Sequence, residues 1–67
     1  MDFTGRFNQI LKENHINQAK LADDLGVSRQ AITNLKNGAS LPSLYLLFNI
    51  CKYLDVSADY LLGLSDY

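Results

Sequence analysis

At 67 residues, 48% of them apolar, the chain can form one small hydrophobic core with little margin, because a chain this short buries only ~60% of its unfolded surface. Four glycines and one proline argue against a low-complexity segment, the lone Cys51 excludes an intramolecular disulfide, and no apolar run approaches the ~20 residues that span a bilayer. The formal net charge of −1 is unevenly spread: residues 1–15 sum to zero, residues 16–40 to +1 and residues 41–67 to −2, which makes the middle third the positive end.

The N-terminal stretch Met1-Asp2-Phe3-Thr4-Gly5-Arg6 lacks the apolar core of a signal peptide, so the expected location is the cytoplasm. Phe3, Phe7, Ile10 and Leu11 fall at i, i+4, i+7 and i+8, one face of a first helix ending near Asn14-His15. Asn17 is placed to cap a second helix, with Leu21, Ala22 and Leu25 facing inward and Gly26 stopping it. Ser28 caps a third, with Ala31, Ile32 and Leu35 on its apolar side and Asn37-Gly38 as its exit. Pro42-Ser43 opens a fourth running to about Leu54, and Ser57 opens a short fifth ending near Gly63.

Three of these starts share one device. Ile16, Val27 and Val56 each precede a cap residue, and each has an apolar residue at the fourth helical position: Leu21, Ile32 and Leu61. That is the spacing of a hydrophobic staple, which sets the angle at which chain enters helix. No stretch alternates at period 2 long enough to make a strand. The expected fold is all-α, five short helices in a single domain over residues 1–67.

Only Gly26 and Val27 separate the second helix from the cap of the third. Glycine adopts the positive φ of such a turn without steric cost. With Ala31, Ile32 and Leu35 turned to the core, the third helix presents Arg29, Gln30, Thr33, Asn34 and Lys36. Arg pairs bidentately with guanine O6 and N7, and Asn or Gln with adenine N6 and N7, so this face has the chemistry of a base-edge reader. By itself a polar helix face is more often plain solvated surface; the short turn beside it is what raises the DNA reading above that one.

The run Ile16-Asn17-Gln18-Ala19-Lys20-Leu21-Ala22-Asp23-Asp24-Leu25-Gly26-Val27-Ser28-Arg29-Gln30-Ala31-Ile32-Thr33-Asn34-Leu35-Lys36-Asn37-Gly38 resembles the helix-turn-helix of phage-repressor and Cro-type regulators. The likeness continues through Leu41-Pro42-Ser43-Leu44 and Leu54-Asp55-Val56-Ser57-Ala58-Asp59-Tyr60-Leu61-Leu62-Gly63, covering roughly residues 7 to 63. In that family the second motif helix enters the major groove while the first crosses the backbone. The resemblance implies a lambda repressor-like fold and sequence-specific binding of duplex operator DNA. It implies base-reading roles for Ser28, Arg29, Gln30 and Asn34, with Thr33 beside them. It implies that Gln18 holds a phosphate and braces the recognition helix, and that Asn17 and Asn37 contact the backbone. For Gln18 and Asn37 the alternative is local capping, which is compatible with phosphate contact.

Two departures from the family pattern bear on affinity. Where some members pair an arginine of the first helix with an acid at the end of the third, this chain has Leu11 and Lys36, so Lys36 is expected to be free to reach a phosphate. The loop Ala39-Ser40-Leu41 lacks the lysine or arginine that relatives often carry, leaving Ser40 as its backbone-contacting candidate. Phosphate attraction supplies much of DNA affinity, so a monomer should bind weakly, and a homodimer on a palindromic site is the expected remedy.

The fourth helix is apolar or aromatic nearly all round, and the resemblance places Leu46, Ala58 and Tyr60 where symmetric dimers of the family meet, with Tyr45 beside Leu46. Otherwise Tyr45 and Tyr53 are singly exposed aromatics of no consequence. His15 stands alone in a turn, Cys51 sits at core spacing with Leu47 and Leu54, and Asp23-Asp24 lie side by side on the back of the second helix. Nothing here assembles a catalytic dyad, a metal site or a phosphate-cradling glycine loop, so no enzyme activity, cofactor, metal or small-molecule ligand is expected. The competing class is a protein-interaction module, antitoxin-like, that uses the apolar faces of helices 4 and 5. Such a module should tolerate loss of Arg29, Gln30 and Asn34.

Overall fold

The computed structural model describes residues 1–66. Five helices follow in order: α1 Phe3–Glu13, α2 Gln18–Leu25, α3 Arg29–Lys36, α4 Leu44–Leu54 and α5 Ala58–Leu62, with no strand among the described residues. Four of the expected caps form. The side chains of Asn17, Ser28, Ser43 and Ser57 each accept a hydrogen bond from the backbone N–H three residues on. Asp2 precedes α1 without making such a bond.

The joints share a second device that the sequence reading caught only in part. The N–H groups of Ile16, Val27 and Val56 donate back to the carbonyls of Leu11, Ala22 and Cys51 at 2.9, 3.0 and 3.1 Å, the closing bond of a Schellman turn. Each follows a residue in the left-handed region: His15 at φ 52°, Gly26 at 72° and Asp55 at 55°. The apolar residue that closes one helix then packs against the core as the staple of the next. Ile16, Val27 and Val56 are half-buried there, while Leu21, Ile32 and Leu61 are fully buried.

One core results, built from Phe3, Phe7, Leu11, Leu21, Ala22, Ile32, Leu35, Leu47, Ile50 and Leu61. Within it Phe3 and Phe7 stack with ring centroids 5.2 Å apart. Helix α1 lies against α3 and α5, α2 against α3 and α4, and α4 against α5. Cys51 is half-buried at the edge of this core, and burial pushes its thiol pKa up, away from the reactive thiolate.

Polar groups add two ties. Arg6 donates from Nη1 to the carbonyl oxygens of Tyr60, at 3.0 Å, and Ser65. Its guanidinium lies 4.6 Å from the centre of the Tyr60 ring and 3.7 Å from Asp66. Across the molecule the Tyr53 hydroxyl donates to Asp24 at 2.6 Å, and Lys20 meets the same carboxylate at 3.1 Å. Tyr53 is therefore not an idle exposed aromatic, and Asp24 is more than solvated charge: together they fasten α4 to α2.

Candidate nucleic-acid interface

The α2–α3 turn is closed by backbone geometry. Gly26 caps α2 in the left-handed region with its N–H directed to Ala22 and Asp23, and a Cβ at this position would meet nothing within 4 Å. Glycine is required here for its φ alone. Ser28 then turns the chain into α3 by accepting from the Ala31 N–H at 3.0 Å. Ile32 and Leu35 sink into the core, fixing which side of α3 faces out.

On that outer side Ser28, Arg29 and Gln30 are exposed, whereas Thr33, Asn34 and Lys36 are half-buried. Gln30 Nε2 donates to Asn34 Oδ1 at 3.0 Å. This bond orients both amides and leaves outward capacity on each: the Gln30 carbonyl with its second N–H, and the Asn34 amino group. Such a preset donor–acceptor pair on one helix face suits the edge of a base.

The inner side is held by Gln18. Its Nε2 donates to Thr33 Oγ1 at 2.6 Å and, more weakly, to the Arg29 carbonyl at 3.4 Å, while its Oε1 accepts from Lys36 Nζ at 3.1 Å. The first residue of α2 thus grips α3 at its first, middle and last turns. The expectation that Lys36 is free fails here, because its ammonium donates to the Gln18 side-chain carbonyl. Thr33 also has its hydroxyl oxygen engaged on the α2 side.

Sequence reasoning missed Asn8, which donates from Nδ2 to the Lys36 carbonyl at 2.7 Å and to the Thr4 carbonyl at 2.9 Å. An α1 side chain therefore satisfies one of the orphan carbonyls at the end of α3. Arg6 was missed as well, and its guanidinium is directed to the C-terminal segment, where its partners are two carbonyls and the Asp66 carboxylate. An asparagine at a half-polar position of an amphipathic helix carries no mark of a partner 28 residues away.

The remaining candidates flank this face. Asn17 Oδ1 caps α2 by accepting from the Lys20 N–H at 3.0 Å, whereas Asn37 Oδ1 accepts from the Ala39 N–H at 2.9 Å and so closes the turn after α3 rather than capping the helix; each keeps its amino group for another acceptor. Ser40 is exposed, with its N–H on the Asn34 carbonyl at 3.2 Å. Away from α3, Tyr45 is exposed, but Leu46, Ala58 and Tyr60 are half-buried against the core, Tyr60 beneath the Arg6 guanidinium. The exposed apolar neighbours of Tyr45 are instead Leu41, Leu44 and Phe48, each more than half exposed. Leu46 points the other way because Leu47 and Ile50 set the buried side of α4.

Titration follows the same contacts. The hydrogen bond from Tyr53 holds the Asp24 carboxyl below the usual carboxylate range, with Lys20 adding to it. The same bond raises the Tyr53 hydroxyl, and Asp24 raises Lys20. Among the described residues no three His, Cys, Asp or Glu side chains gather to hold a metal ion, and no helix is long and apolar enough to cross a membrane.

A helix-turn-helix family model matches residues 8–61, which spans α2, the Gly26 turn, α3 and their supporting helices. The chain belongs to the Cro/lambda-repressor-like helix-turn-helix family. Family members similar to it include the uncharacterized HTH-type transcriptional regulator YqaE of Bacillus subtilis (strain 168), 38% identical over 60 residues, 90% of this chain and 52% of that protein. The HTH-type transcriptional activator BcrR of Enterococcus faecalis is 34% identical over 63 residues, 94% of this chain and 31% of that protein. YobD of Bacillus subtilis (strain 168), an uncharacterized HTH-type transcriptional regulator, is 30% identical over 61 residues, 91% of this chain and 54% of that protein. This helix-turn-helix chain thus spans about half the length of two of these relatives and about a third of the other. No solved structure gives a significant match.

Proposed function

We propose that this chain is a sequence-specific, duplex DNA-binding transcriptional regulator that lays α3 in the major groove. The observation that carries the reading is the exposed Arg29 beside the oriented Gln30–Asn34 pair, on a helix whose opposite side is anchored in the core and gripped by Gln18. Ser28, Arg29, Gln30 and Asn34 read base edges, with Arg29 the principal reader, while Thr33 sits behind them. Asn17, Gln18, Asn37 and Ser40 lie toward the phosphate backbone, while the Lys36 ammonium is turned to Gln18. The chain acts as a repressor of phage or mobile-element type, in the cytoplasm and without a cofactor.

Few cations face the DNA, because Lys20 is shared with Asp24 and Arg6 is spent internally. Two copies on a palindromic operator supply what one lacks. Of the residues expected at the pairing face, only Tyr45 is exposed, so pairing would run through Tyr45 together with the exposed Leu41, Leu44 and Phe48, while Leu46, Ala58 and Tyr60 stay against the core.

The test is titration of labelled duplex libraries with the wild type and Arg29→Ala at two salt concentrations. The expected result is a palindromic site for which Arg29→Ala loses ~1–3 kcal/mol while bulk binding barely changes. A wild type that selects no sequence at low salt and high concentration sinks the DNA reading. The exposed strip would then favour the alternative, an interaction module that binds a protein partner through helices α4 and α5.

A further inference from the structure

Gln18 lies between two partners of fixed and opposite character. The Arg29 carbonyl only accepts and the Lys36 ammonium only donates, at 3.4 and 3.1 Å from the two ends of the same amide. An amide between such partners has one satisfactory orientation, with Nε2 toward Arg29 and Oε1 toward Lys36. Thr33 Oγ1, 2.6 Å from Nε2, is then obliged to accept from Gln18, and its own proton is left to donate elsewhere.

We propose that Lys36 is a positioning residue for DNA reading: by donating to Gln18 Oε1 it fixes the polarity of a relay running Lys36 to Gln18 to Thr33, and so sets the register of the α3 face. This rests on the DNA-binding reading above, and replaces the phosphate contact by which Lys36 would act on DNA directly. Loss of the ammonium leaves only the long 3.4 Å contact with the Arg29 carbonyl to choose the amide orientation, so the reversed amide becomes populated. With the amide reversed, Gln18 would turn an oxygen toward the Arg29 carbonyl, and Thr33 would have to donate inward. The α3 face loses its grip at the first and middle turns while the core residues Ile32 and Leu35 stay in place.

The variants are Lys36→Met, which keeps the apolar stem, and Lys36→Arg, which restores a donor. In the free protein the readout is the Gln18 side-chain amide by nuclear magnetic resonance. Wild type and Lys36→Arg should show distinct amide proton shifts with cross-relaxation to Thr33; Lys36→Met should show averaged shifts and a weaker Thr33 signal. On DNA, Lys36→Met should lower the preference for the selected site over a scrambled duplex about tenfold, the lower end of one good base contact, with the salt slope unchanged and Lys36→Arg restoring it. If Lys36→Met instead weakens both duplexes equally and lowers the salt slope by about one, Lys36 is an ordinary phosphate contact and the proposal is overturned. A Gln18 amide indifferent to Lys36→Met overturns it too, and that arm decides even where wild type selects no duplex, the outcome that overturns the DNA reading.

Discussion

The two arginines of this chain stand in opposite surroundings. Arg6, on α1, is wrapped: two backbone carbonyls, a tyrosine ring and a carboxylate converge on its guanidinium. Arg29, on the first turn of α3, is exposed, and among the described residues the side-chain contact it receives is that of Gln18 on its backbone carbonyl. The α1–α5 junction therefore spends its hydrogen-bonding capacity internally, whereas the outer face of α3 keeps the Arg29 guanidinium and part of the Gln30 and Asn34 amides for an outside partner while its inner side is fastened. An organised surface with unused donors can bind something; a junction with satisfied donors can only hold.

The largest expected effect breaks the holding side. Arg6→Met removes charge-assisted hydrogen bonds to two carbonyls, each worth about 1.5–3 kcal/mol, and a cation–π contact worth about 0.5–1 kcal/mol. The Asp66 carboxylate adds little because it is almost fully exposed. Allowing for non-additivity, thermal or denaturant unfolding should show a loss of ~2–4 kcal/mol, while the fraction still folded keeps its preference among duplexes. Arg29→Ala should do the reverse, moving stability within ±0.5 kcal/mol while costing site selection ~1–3 kcal/mol. A pair of variants with matching profiles would erase the distinction between the two regions.

How far this contrast was legible in the sequence depends on the range of the contact that creates it. The helix joints were readable because caps and staples act within five residues, and Asn17, Ser28, Ser43 and Ser57 all cap where their spacing predicts. The outward face of α3 followed from the period of Ile32 and Leu35. Arg6 and Asn8 were not readable, since their partners lie 54 and 28 residues away and a carbonyl leaves no trace in side-chain identity. Lys36 was half-readable: the missing acid was visible, but the replacement partner was not. His15 and Asp55 hid their left-handed conformations because neither is the glycine that usually announces one.

A smaller effect is expected at the joint that aims α3. Gly26→Ala meets no steric obstacle but places a Cβ at φ 72°, where L-residues pay roughly 1–2 kcal/mol. Reduced freedom in the unfolded chain returns part of that, leaving a net loss of about 1 kcal/mol by denaturant unfolding. Gly26→Asn should lose less, as asparagine tolerates this region. Since the turn belongs to the presenting side, Gly26→Ala should also weaken site selection beyond what partial unfolding explains. An effect on stability alone would mean that the grip of Gln18, not the turn, aims the helix.

The smallest effect concerns the tie behind the interface and is best read through pH. Asp24 is held below its ordinary range chiefly by the Tyr53 hydroxyl, so its contribution to stability is present above the unfolded-state pKa and is lost as pH falls through the lowered folded value. Tyr53 is raised chiefly by Asp24, so its contribution is present below the ordinary tyrosine value and is lost as pH rises through the raised one. The tie therefore works across the neutral range and fails at both ends. Comparing Tyr53→Phe with the wild type by chemical unfolding across pH should give a small deficit at neutrality that closes in acid, where Asp24 is protonated, and again in strong alkali, where Tyr53 ionises. Both groups are exposed, which keeps the deficit modest and makes it shrink in salt. A deficit unchanged in acid would mean that the hydroxyl acts through something other than the ionised Asp24 carboxylate, and no deficit at any pH would mean that it adds nothing.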